Sequence, residues 1–231
     1  MRDVGPRAAP RDRASPPEER SLTDPTYIGS FPRADALLDP PLPEVAFLGR
    51  SNVGKSSLLN ALVGRRIAKT SGTPGKTRAL NVFLVPGAGS QESGTPESKL
   101  LTPGSHYFLD LPGYGYARAS KSERTAFRGL VKHTLRREGL RGVVWLLDIR
   151  HAPSAEDWAM QESLAEAETH VLAALTKADK LSAAPRRTRE RELREELELP
   201  EDQVVVTSAT TGEGIVELKE AIGGLISGTT E

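Results

Sequence analysis

One short stretch constrains the fold of this chain more than any other feature of its sequence. Residues 49–56 (GRSNVGKS) match the pattern G-x-x-x-x-G-K-[ST] and stand between an apolar run at 45–49 and a helical pattern at 55–63. In this context the glycines let the backbone approach a phosphate, and successive N–H groups together with the helix N-terminus supply positive potential. The stretch therefore predicts a strand, a phosphate-binding loop and a helix in direct succession.

Two side chains at the end of this loop have predicted roles of their own. Lys55 is expected to reach the outer phosphates as a point charge, and the Ser56 hydroxyl to ligate Mg²⁺. A chance match is the alternative, and for the bare pattern it is on the order of one per cent in a chain of this length. The residues assigned to the phosphates are Gly49, Arg50, Ser51, Asn52, Val53, Gly54, Lys55, Ser56 and Ser57.

Along the rest of the chain, short β-rich runs alternate with helical patterns. The predicted strands are 45–49, 80–85, 106–111, 142–149, 170–176 and 203–208, and the predicted helices are 55–63, 122–138, 154–168, 186–198 and 213–226. Such alternation predicts βα units and a parallel sheet with helices on both faces. A loop joins 80–85 to 106–111, which predicts one antiparallel pair. The expected fold class is α/β, with a mostly parallel six-stranded sheet.

Composition divides the chain at two places. Nine of the 17 prolines fall in residues 1–43, and their mixture with Arg, Asp, Glu and Ser predicts a disordered arm over 1–25. Residues 26–38 hold enough apolar side chains to dock as a short strand or an extended segment. Pro, Gly, Ser and Thr dominate 86–104, which predicts a long exposed loop. The folded domain is expected to span 26–228, followed by a tail at 229–231.

The composition also excludes several classes of protein. The chain has no Cys, so disulfide frameworks, thiolate metal sites and a cysteine nucleophile are excluded. No apolar run approaches the length of a membrane span, and the N-terminus lacks the apolar core of a secretory signal, so we expect a cytoplasmic protein. Lys plus Arg and Asp plus Glu both count 31, so contact with a nucleic acid has to come from a local patch.

A second motif, DLPG at 110–113, stands at the end of a predicted strand, where ligands of open α/β sheets bind. Asp110 can hold Mg²⁺ through a water, and the Gly113 amide can meet a γ-phosphate. Alone, D-x-x-G equally describes a turn after a strand. Paired with the phosphate loop, it predicts a sensor that orders when the γ-phosphate is present. The residues assigned to this segment are Asp110, Leu111, Pro112 and Gly113.

A third motif, TKAD at 176–179, ends the fifth predicted strand. The Asp179 carboxylate can accept two hydrogen bonds from the N1–H and N2–H₂ edge of guanine, and adenine has no matching donor pair. The Lys177 stem can cover the base, and the amides of Ser208 and Ala209 can donate to guanine O6. In isolation TKAD is also a turn capped by Asp, but its order after the other motifs favours guanine. The residues assigned to the base are Thr176, Lys177, Ala178, Asp179, Thr207, Ser208 and Ala209.

The segment 73–78 (TPGKTR) contains a hydroxyl, that of Thr77, which can complete the Mg²⁺ shell. The alternative is that Thr73 or Thr77 only caps a turn. Together with Lys55 and Gly113, Thr77 is predicted to be catalytic. The residues assigned to the nucleotide in this segment are Gly75, Lys76, Thr77, Arg78 and Ala79.

These motifs together resemble the EngB (YihA/YsxC) family of bacterial ribosome-biogenesis GTPases, in the Era-like branch of P-loop GTPases. The resemblance covers roughly 26–226 and rests on GRSNVGKSSLLNAL (49–62), TPGKTRALN (73–81), DLPGYGYA (110–117), DIRH (148–151) and TKAD (176–179). It implies Mg²⁺-dependent GTP binding and hydrolysis in assembly of the large ribosomal subunit, linked to cell division and septation. The implied partner is a precursor of that subunit, with its rRNA and proteins, and neither DNA nor a membrane is expected as a partner.

Two other functions stay open at this point. One is a GTP-regulated binding module in division with no direct ribosome role. The other is an ATP-dependent small-molecule kinase, which should lack the guanine-reading TKAD. The 86–104 loop looks longer than the hairpin expected in the family, and the N-terminal arm lies outside the shared core. Because the chain is small and has no obvious dimer seam, we expect a monomer.

The resemblance also bears on hydrolysis. Tyr114 stands where Ras-like proteins place the Gln that orients the attacking water, so slow intrinsic hydrolysis is predicted. Asn52 occupies the position that coordinates potassium in relatives such as TrmE. Either it supports potassium activation here, or it only hydrogen-bonds the neighbouring loop, which is slightly preferred.

Two groups of basic residues have different predicted roles. Arg78, Arg118, Lys121 and Arg124 cluster in or after the predicted switch segments, where they either meet a phosphate backbone or are solvated. The Arg-rich pattern at 186–194 is interspersed with Glu, which predicts a salt-bridged solvent face.

Overall fold

The computed structural model of the chain describes residues 25–68, 79–87, 102–115 and 120–228. The predicted arm except Pro25, most of the 86–104 loop, the segment 73–78 and the tail at 229–231 lie outside the described residues. The arm, the loop, the tail and the domain boundaries drawn from them therefore stay predictions.

Seven strands form one sheet, in the order β1-β3-β4-β2-β5-β6-β7. They are β1 (Thr26–Phe31), β2 (Glu44–Gly49), β3 (Leu80–Val85), β4 (His106–Asp110), β5 (Leu140–Asp148), β6 (Val171–Thr176) and β7 (Val204–Val206). Parallel pairing joins β4, β2, β5, β6 and β7. β3 runs antiparallel to both of its neighbours, β4 and β1. The mostly parallel sheet and the antiparallel pair predicted from the sequence are confirmed.

The sheet has one strand more than the six predicted. The additional strand, β1, comes from the segment 26–38, for which the sequence left a strand and an extended segment equally open. β1 pairs with β3 along its length, with an irregularity between Tyr27 and Gly29. Its signal is weak because it is an edge strand with exposed side chains, among them Tyr27 and Ile28, so it needs no continuous apolar run.

Helices cover both faces of the sheet, as predicted. They are α1 (Lys55–Val63), α2 (Lys121–Leu135), α3 (Ala155–Glu166), α4 (Ala183–Glu196) and α5 (Ile215–Ser227). One buried cluster joins α2, α3 and α4 to the sheet face that carries Trp145. A second cluster joins α1 and α5 to the opposite face, which carries Phe47. None of the helices in the described part of the chain has the length and apolar character that a membrane span requires.

Local sequence sets where two of these helices begin. The Ser120 hydroxyl accepts a hydrogen bond from the Glu123 amide, and the Glu123 carboxylate accepts one from the Ser120 amide at 2.8 Å. Ser154 and Asp157 form the same reciprocal pair at the start of α3. Each pair satisfies two amides that the helix itself leaves without partners. The capping residues therefore define where both helices begin.

Candidate nucleotide-binding site

The predicted site residues that the structure describes lie together at the carboxyl edge of the parallel strands. The phosphate loop follows β2, DLPG ends β4 and continues beyond it, TKAD begins at the last residue of β6, and 207–209 follow β7. The register holds these ends level, since Phe47 pairs with Asp110 and Leu175 pairs with Val206. Ala79 directly precedes β3, whereas Gly75, Lys76, Thr77 and Arg78 lie outside the described residues.

The phosphate loop alternates between ordinary and left-handed backbone. Asn52 has φ 65° and Gly54 has φ 108°, and the Val53 amide between them donates to Arg50 O at 3.1 Å. Gly54 is the N-cap of α1 and contributes no side chain there. Left-handed residues in a turn aim successive N–H groups into one concavity, and a helix N-terminus adds the positive end of its dipole. The loop has the backbone of an anion site.

One glycine, Gly113, allows the DLPG segment to lie against this loop, and another, Gly49, allows close packing within the loop itself. A Cβ on Gly113 would stand 2.9 Å from Ser51 N and 3.0 Å from Ser51 Cα, too close for any other residue. A Cβ on Gly49 would stand 2.8 Å from a methyl group of Val53. The Ser51 amide also donates to Tyr114 O at 2.8 Å, which extends the β2–β4 pairing beyond the strands. The two segments that would surround the phosphates are therefore in direct backbone contact.

We call the part of the site formed by 49–56 and 110–113 the phosphate end. Lys55 and Asp110 form an ion pair there, with both side chains at most 10% exposed. The other oxygen of Asp110 accepts a hydrogen bond from Asn81 Nδ2 at 3.2 Å. Asn81 is absent from the residues predicted from sequence. Its only signal in the sequence is a polar residue in an apolar strand. The contact depends on the antiparallel register, which sets Asn81 opposite Asp110.

We call the part of the site formed by 176–179 and 207–209 the base end. Two of its side chains, Lys177 and Thr176, connect TKAD to the phosphate loop. Lys177 has φ 63°, and its Nζ donates to Asn52 O at 2.6 Å and to Asp148 Oδ2 at 2.9 Å. The Thr176 hydroxyl donates to Val53 O at 2.7 Å. The two ends of the site are thus joined by side chains of TKAD that hold loop carbonyls.

Asp179 is held in one orientation by its neighbours. Its Oδ1 accepts a hydrogen bond from Ser208 Oγ at 2.8 Å, and its other oxygen pairs with Lys180 Nζ at 3.0 Å. The hydrogen bond from Lys180, followed by that from Ser208, lowers the pKa of the Asp179 carboxyl. The group is therefore an oriented anion, the form that accepts two N–H donors from a base.

The amide and the hydroxyl of Ser208 have different partners in the structure. Its amide donates to Glu213 O at 3.0 Å, so it is already engaged, and of the two predicted donors to guanine O6 the Ala209 amide is the one that remains. The Ser208 hydroxyl donates to Asp179 and orients its carboxylate. Sequence reasoning missed this contact because the two residues lie on different strand ends. Thr207 O accepts from the Ala178 amide at 3.1 Å, which brings those ends together.

Asp148 and Arg150, from the DIRH turn, hold Lys177 in place at the base end. Arg150 donates two side-chain hydrogen bonds to Asp148, at 2.8 and 2.7 Å. Burial alone would raise the pKa of Asp148, but the hydrogen bonds from Arg150 and Lys177 outweigh it and hold the pKa well below its usual range. Asp148 is thus a fixed anion that positions Lys177. The turn after β5 is thereby tied to the last residue of that strand.

The side chain of Tyr114 is buried behind the site. Its hydroxyl donates to Asp157 Oδ1 at 2.8 Å and accepts from Trp145 Nε1 at 2.8 Å. Burial, followed by the nearby Asp157 charge, raises the pKa of Tyr114, so the phenol stays neutral. Asp157 belongs to the capping pair of α3. The residue after DLPG is therefore anchored to the start of α3 and takes no water-orienting position.

Two side-chain oxygen donors of the site suit Mg²⁺. Ser56, in the first turn of α1, and Asp110, at the end of β4, offer hydroxyl and carboxylate oxygens at the same sheet edge. Within the described residues, His, Cys, Asp and Glu side chains form no cluster of three or more. Mg²⁺ bound along with phosphates needs only one or two protein oxygens and several waters. The residues fit a metal held jointly with a nucleotide.

Comparisons with known proteins agree with this geometry. Residues 44–177 match the family model described as 50S ribosome-binding GTPase. A probable GTP-binding protein EngB of Syntrophomonas wolfei is 43% identical over 187 residues, which cover 80% of this chain and 88% of that protein. Another, of Gemmatimonas aurantiaca, is 44% identical over 190 residues, covering 80% and 84%.

Solved structures show the same fold. The crystal structure of a probable GTP-binding protein EngB has a TM-score of 0.59 at 22% identity and covers 80% of this chain and 99% of its own. Era in complex with MgGDPNP and nucleotides 1506-1542 of 16S ribosomal RNA has a TM-score of 0.64 at 22% identity, covering 80% and 57%. With the sequence relatives, these findings show that the chain belongs to the EngB family of GTP-binding proteins.

Proposed function

We propose that the chain is a Mg²⁺-dependent GTPase switch that associates with a precursor of the large ribosomal subunit in its GTP-bound state and acts in assembly of that subunit. One observation carries the nucleotide part of this proposal. An oriented anion, Asp179, and an anion-binding loop, 49–56, are joined at one sheet edge through Lys177 and Thr176. That pairing suits a ligand with a guanine at one end and phosphates at the other.

At the phosphate end, we assign the outer phosphates to Lys55, which would exchange its contact with Asp110 for the ligand. The Gly113 amide would meet the γ-phosphate, since Gly113 packs directly on the loop. Ser56 would ligate Mg²⁺, Asp110 would hold it through a water, and Thr77 would complete the shell. The bound ion would neutralise charge on the β- and γ-phosphate oxygens.

At the base end, Asp179 would accept the N1–H and N2–H₂ groups of guanine, and the Ala209 amide would donate to O6. The Ser208 hydroxyl orients the Asp179 carboxylate through a hydrogen bond. The ATP-dependent kinase alternative is disfavoured because adenine offers no donor pair to an anion at this position.

The proposed intrinsic rate of hydrolysis is slow. Tyr114 is committed to Asp157 and Trp145, so among the described residues the position after Gly113 contributes no group that orients the attacking water. A partner, a water network or an ion would supply it. Potassium beside Asn52 is one such ion, and equal hydrolysis rates in potassium and in sodium would remove it from consideration.

Similar proteins support a ribosomal partner. The matching family model carries the description 50S ribosome-binding GTPase, which supports the large subunit, and the solved Era complex contains ribosomal RNA, which supports an RNA-containing partner. We propose a cytoplasmic monomer whose role in assembly links it to cell division and septation. The competing function is a GTP-regulated binding module in division with no direct ribosome role.

Co-sedimentation tests the proposal. The full chain is mixed with ribosomal subunits and their precursors, with GDP or with a non-hydrolysable GTP analogue, at near-physiological salt. We expect association with the large subunit or its precursor only with the GTP analogue. An Asp179→Asn variant is the matched control, because it should need the xanthine analogue instead. Absence of association in both states would contradict the ribosomal role and favour the division module.

A further inference from the structure

A row of basic side chains follows the exposed face of α2. It consists of Lys121, Arg124, Arg128 and Lys132, with Arg136 at the C-cap, and all five are exposed. Their spacing of three or four residues places them on one side of the helix. From first to last the row extends about 22 Å along the axis. We call these five residues the α2 basic face.

The charges of this face are not neutralised within the described parts of the chain. No carboxylate there forms an ion pair with any of the five residues. The one acidic residue of α2, Glu123, takes part in the capping pair with Ser120. Uncompensated like charges along one helix are held at a cost in repulsion, which a polyanionic partner would relieve.

The α4 helix shows how the same chain neutralises basic residues that are structural. Arg186 pairs with Glu213 at 2.7 Å and Arg194 with Glu201 at 3.0 Å. Arg189 pairs with Glu192, and Arg191 lies 3.9 Å from Glu195. The predicted salt-bridged face of this helix is confirmed. Four of the five arginines of α4 thus pair with carboxylates, whereas within the described residues none of the α2 basic face does.

From these observations we infer that the α2 basic face binds the phosphodiester backbone of RNA. The identification of that RNA as ribosomal rests on the proposed function. A row of cations on a convex helix matches the regularly spaced charges of a nucleic-acid strand. Neutralising phosphates releases counterions, so the binding should weaken steeply with salt.

The opposite face of α2 argues against a lipid surface as the partner. Leu130, Val131 and Leu135 are buried in the core against the sheet. A helix that lies in a membrane interface needs exposed apolar residues beside its basic ones, and the apolar residues of α2 are already used.

The face also lies close in the chain to the proposed γ-phosphate sensor. The described residues that follow DLPG end at Gly115, and α2 is capped by Ser120. Only four residues separate these two points in the sequence, so we expect nucleotide exchange at DLPG to affect the first turn of α2. RNA binding through this face is expected to be stronger with the GTP analogue than with GDP.

The test compares two triple variants of the full chain with the same change in net charge. One carries Arg124→Gln, Arg128→Gln and Lys132→Gln on α2. The control carries Arg187→Gln, Arg191→Gln and Lys219→Gln, all exposed residues of α4 and α5. Affinity for deproteinised large-subunit rRNA and for intact large subunits is measured with the GTP analogue over a range of salt concentrations. Thermal midpoints and GTP affinities check that both variants fold.

We expect the α2 variant to bind rRNA about tenfold more weakly or worse. The slope of the logarithm of its binding constant against the logarithm of salt concentration should be smaller in magnitude by about 2, as the loss of three phosphate contacts predicts. The control should stay within about twofold of the unaltered chain because its residues lie elsewhere. Equal rRNA binding by the two variants would overturn the inference. Binding to phosphatidylserine vesicles is measured in parallel, and a loss confined to the vesicles would also overturn it.

The two proposals fail separately. If the unaltered chain binds intact subunits and the α2 variant binds both them and rRNA equally well, the inference is wrong and the proposed function stands. If the unaltered chain binds no subunit in either nucleotide state, but binds rRNA through the α2 face, the proposed function is wrong and the inference stands.

Discussion

The phosphate end and the base end of the site lie at the same sheet edge, but they are held in different ways. At the phosphate end the principal charges satisfy each other, since Lys55 pairs with Asp110. At the base end Asp179 is oriented by Ser208 and Lys180. A ligand must therefore replace contacts at the phosphate end, whereas at the base end it meets a prepared acceptor. We infer that base identity is read by a rigid group and the nucleotide state by one that exchanges partners.

The largest effect is expected from Lys55→Met at the phosphate end. The variant loses the cation for the outer phosphates and leaves the buried Asp110 unpaired. GTP and GDP affinities should fall by about 100-fold, because a charge-assisted hydrogen bond to the phosphates is lost. The free energy of unfolding should drop by about 3 kcal/mol, because a buried charge is left unpaired. Calorimetric titration and urea unfolding measure the two effects.

The double variant Lys55→Met with Asp110→Asn separates the two effects. It should recover most of the lost stability, because no unpaired charge remains, and none of the affinity. Lys219→Met, at an exposed position of α5, is the control and should change neither quantity. Recovery of nucleotide affinity in the double variant would contradict the role of Lys55.

At the base end, Asp179→Asn should change which base is bound. An amide presents a donor to guanine N1–H, so GTP affinity should fall by about 100-fold or more, and xanthosine triphosphate should bind better than GTP. Competition binding with GTP, ATP and xanthosine triphosphate measures the shift. Unchanged preference for GTP would show that another group reads the base.

The Tyr114→Phe variant tests whether the anchor behind DLPG serves position or chemistry. Removing the hydroxyl leaves Asp157 without its buried donor, so the free energy of unfolding should fall by about 1–2 kcal/mol. Affinity for the GTP analogue should fall more than affinity for GDP, because Gly113 loses its support. The hydrolysis rate with saturating GTP should change by no more than about threefold, since oriented water does not depend on this phenol. A 100-fold loss of rate, on the order of a lost catalytic group, would give Tyr114 a direct role.

The smallest effect is expected from Ser208→Ala. The carboxylate of Asp179 loses one orienting hydrogen bond, so GTP and GDP affinities should fall equally, by about three- to tenfold.

The Ser208→Ala variant should also change the pH dependence of guanine-nucleotide binding. The pKa of Asp179 is lowered by Lys180 and Ser208, so guanine binding persists as the pH falls until that lowered pKa is reached. Loss of Ser208 raises this pKa, and the acid limit of binding should move to higher pH; an unmoved limit would contradict the contact.

Sequence alone predicted the parts of the site that are local in the chain. The phosphate loop and TKAD each combine a strand end with a turn, so their spacing suffices to place them. Asn81, the Ser208 hydroxyl and the Tyr114–Asp157 contact could not be found in this way. They join residues 29 to 43 positions apart, and strand register and helix packing bring them together. The pattern of 26–38 does not distinguish a strand from an extended segment for a related reason, because β1 is an edge strand with a weak pattern of burial.

Amide hydrogen exchange on the full chain, with GDP and with a non-hydrolysable GTP analogue, tests the difference between the two ends most directly. The account predicts that both nucleotides protect 176–179 and 207–209 to the same extent. Residues 110–115 and the start of α3 should exchange more slowly with the GTP analogue than with GDP. Equal exchange of 110–115 in the two states, or a difference confined to the base end, would contradict the account.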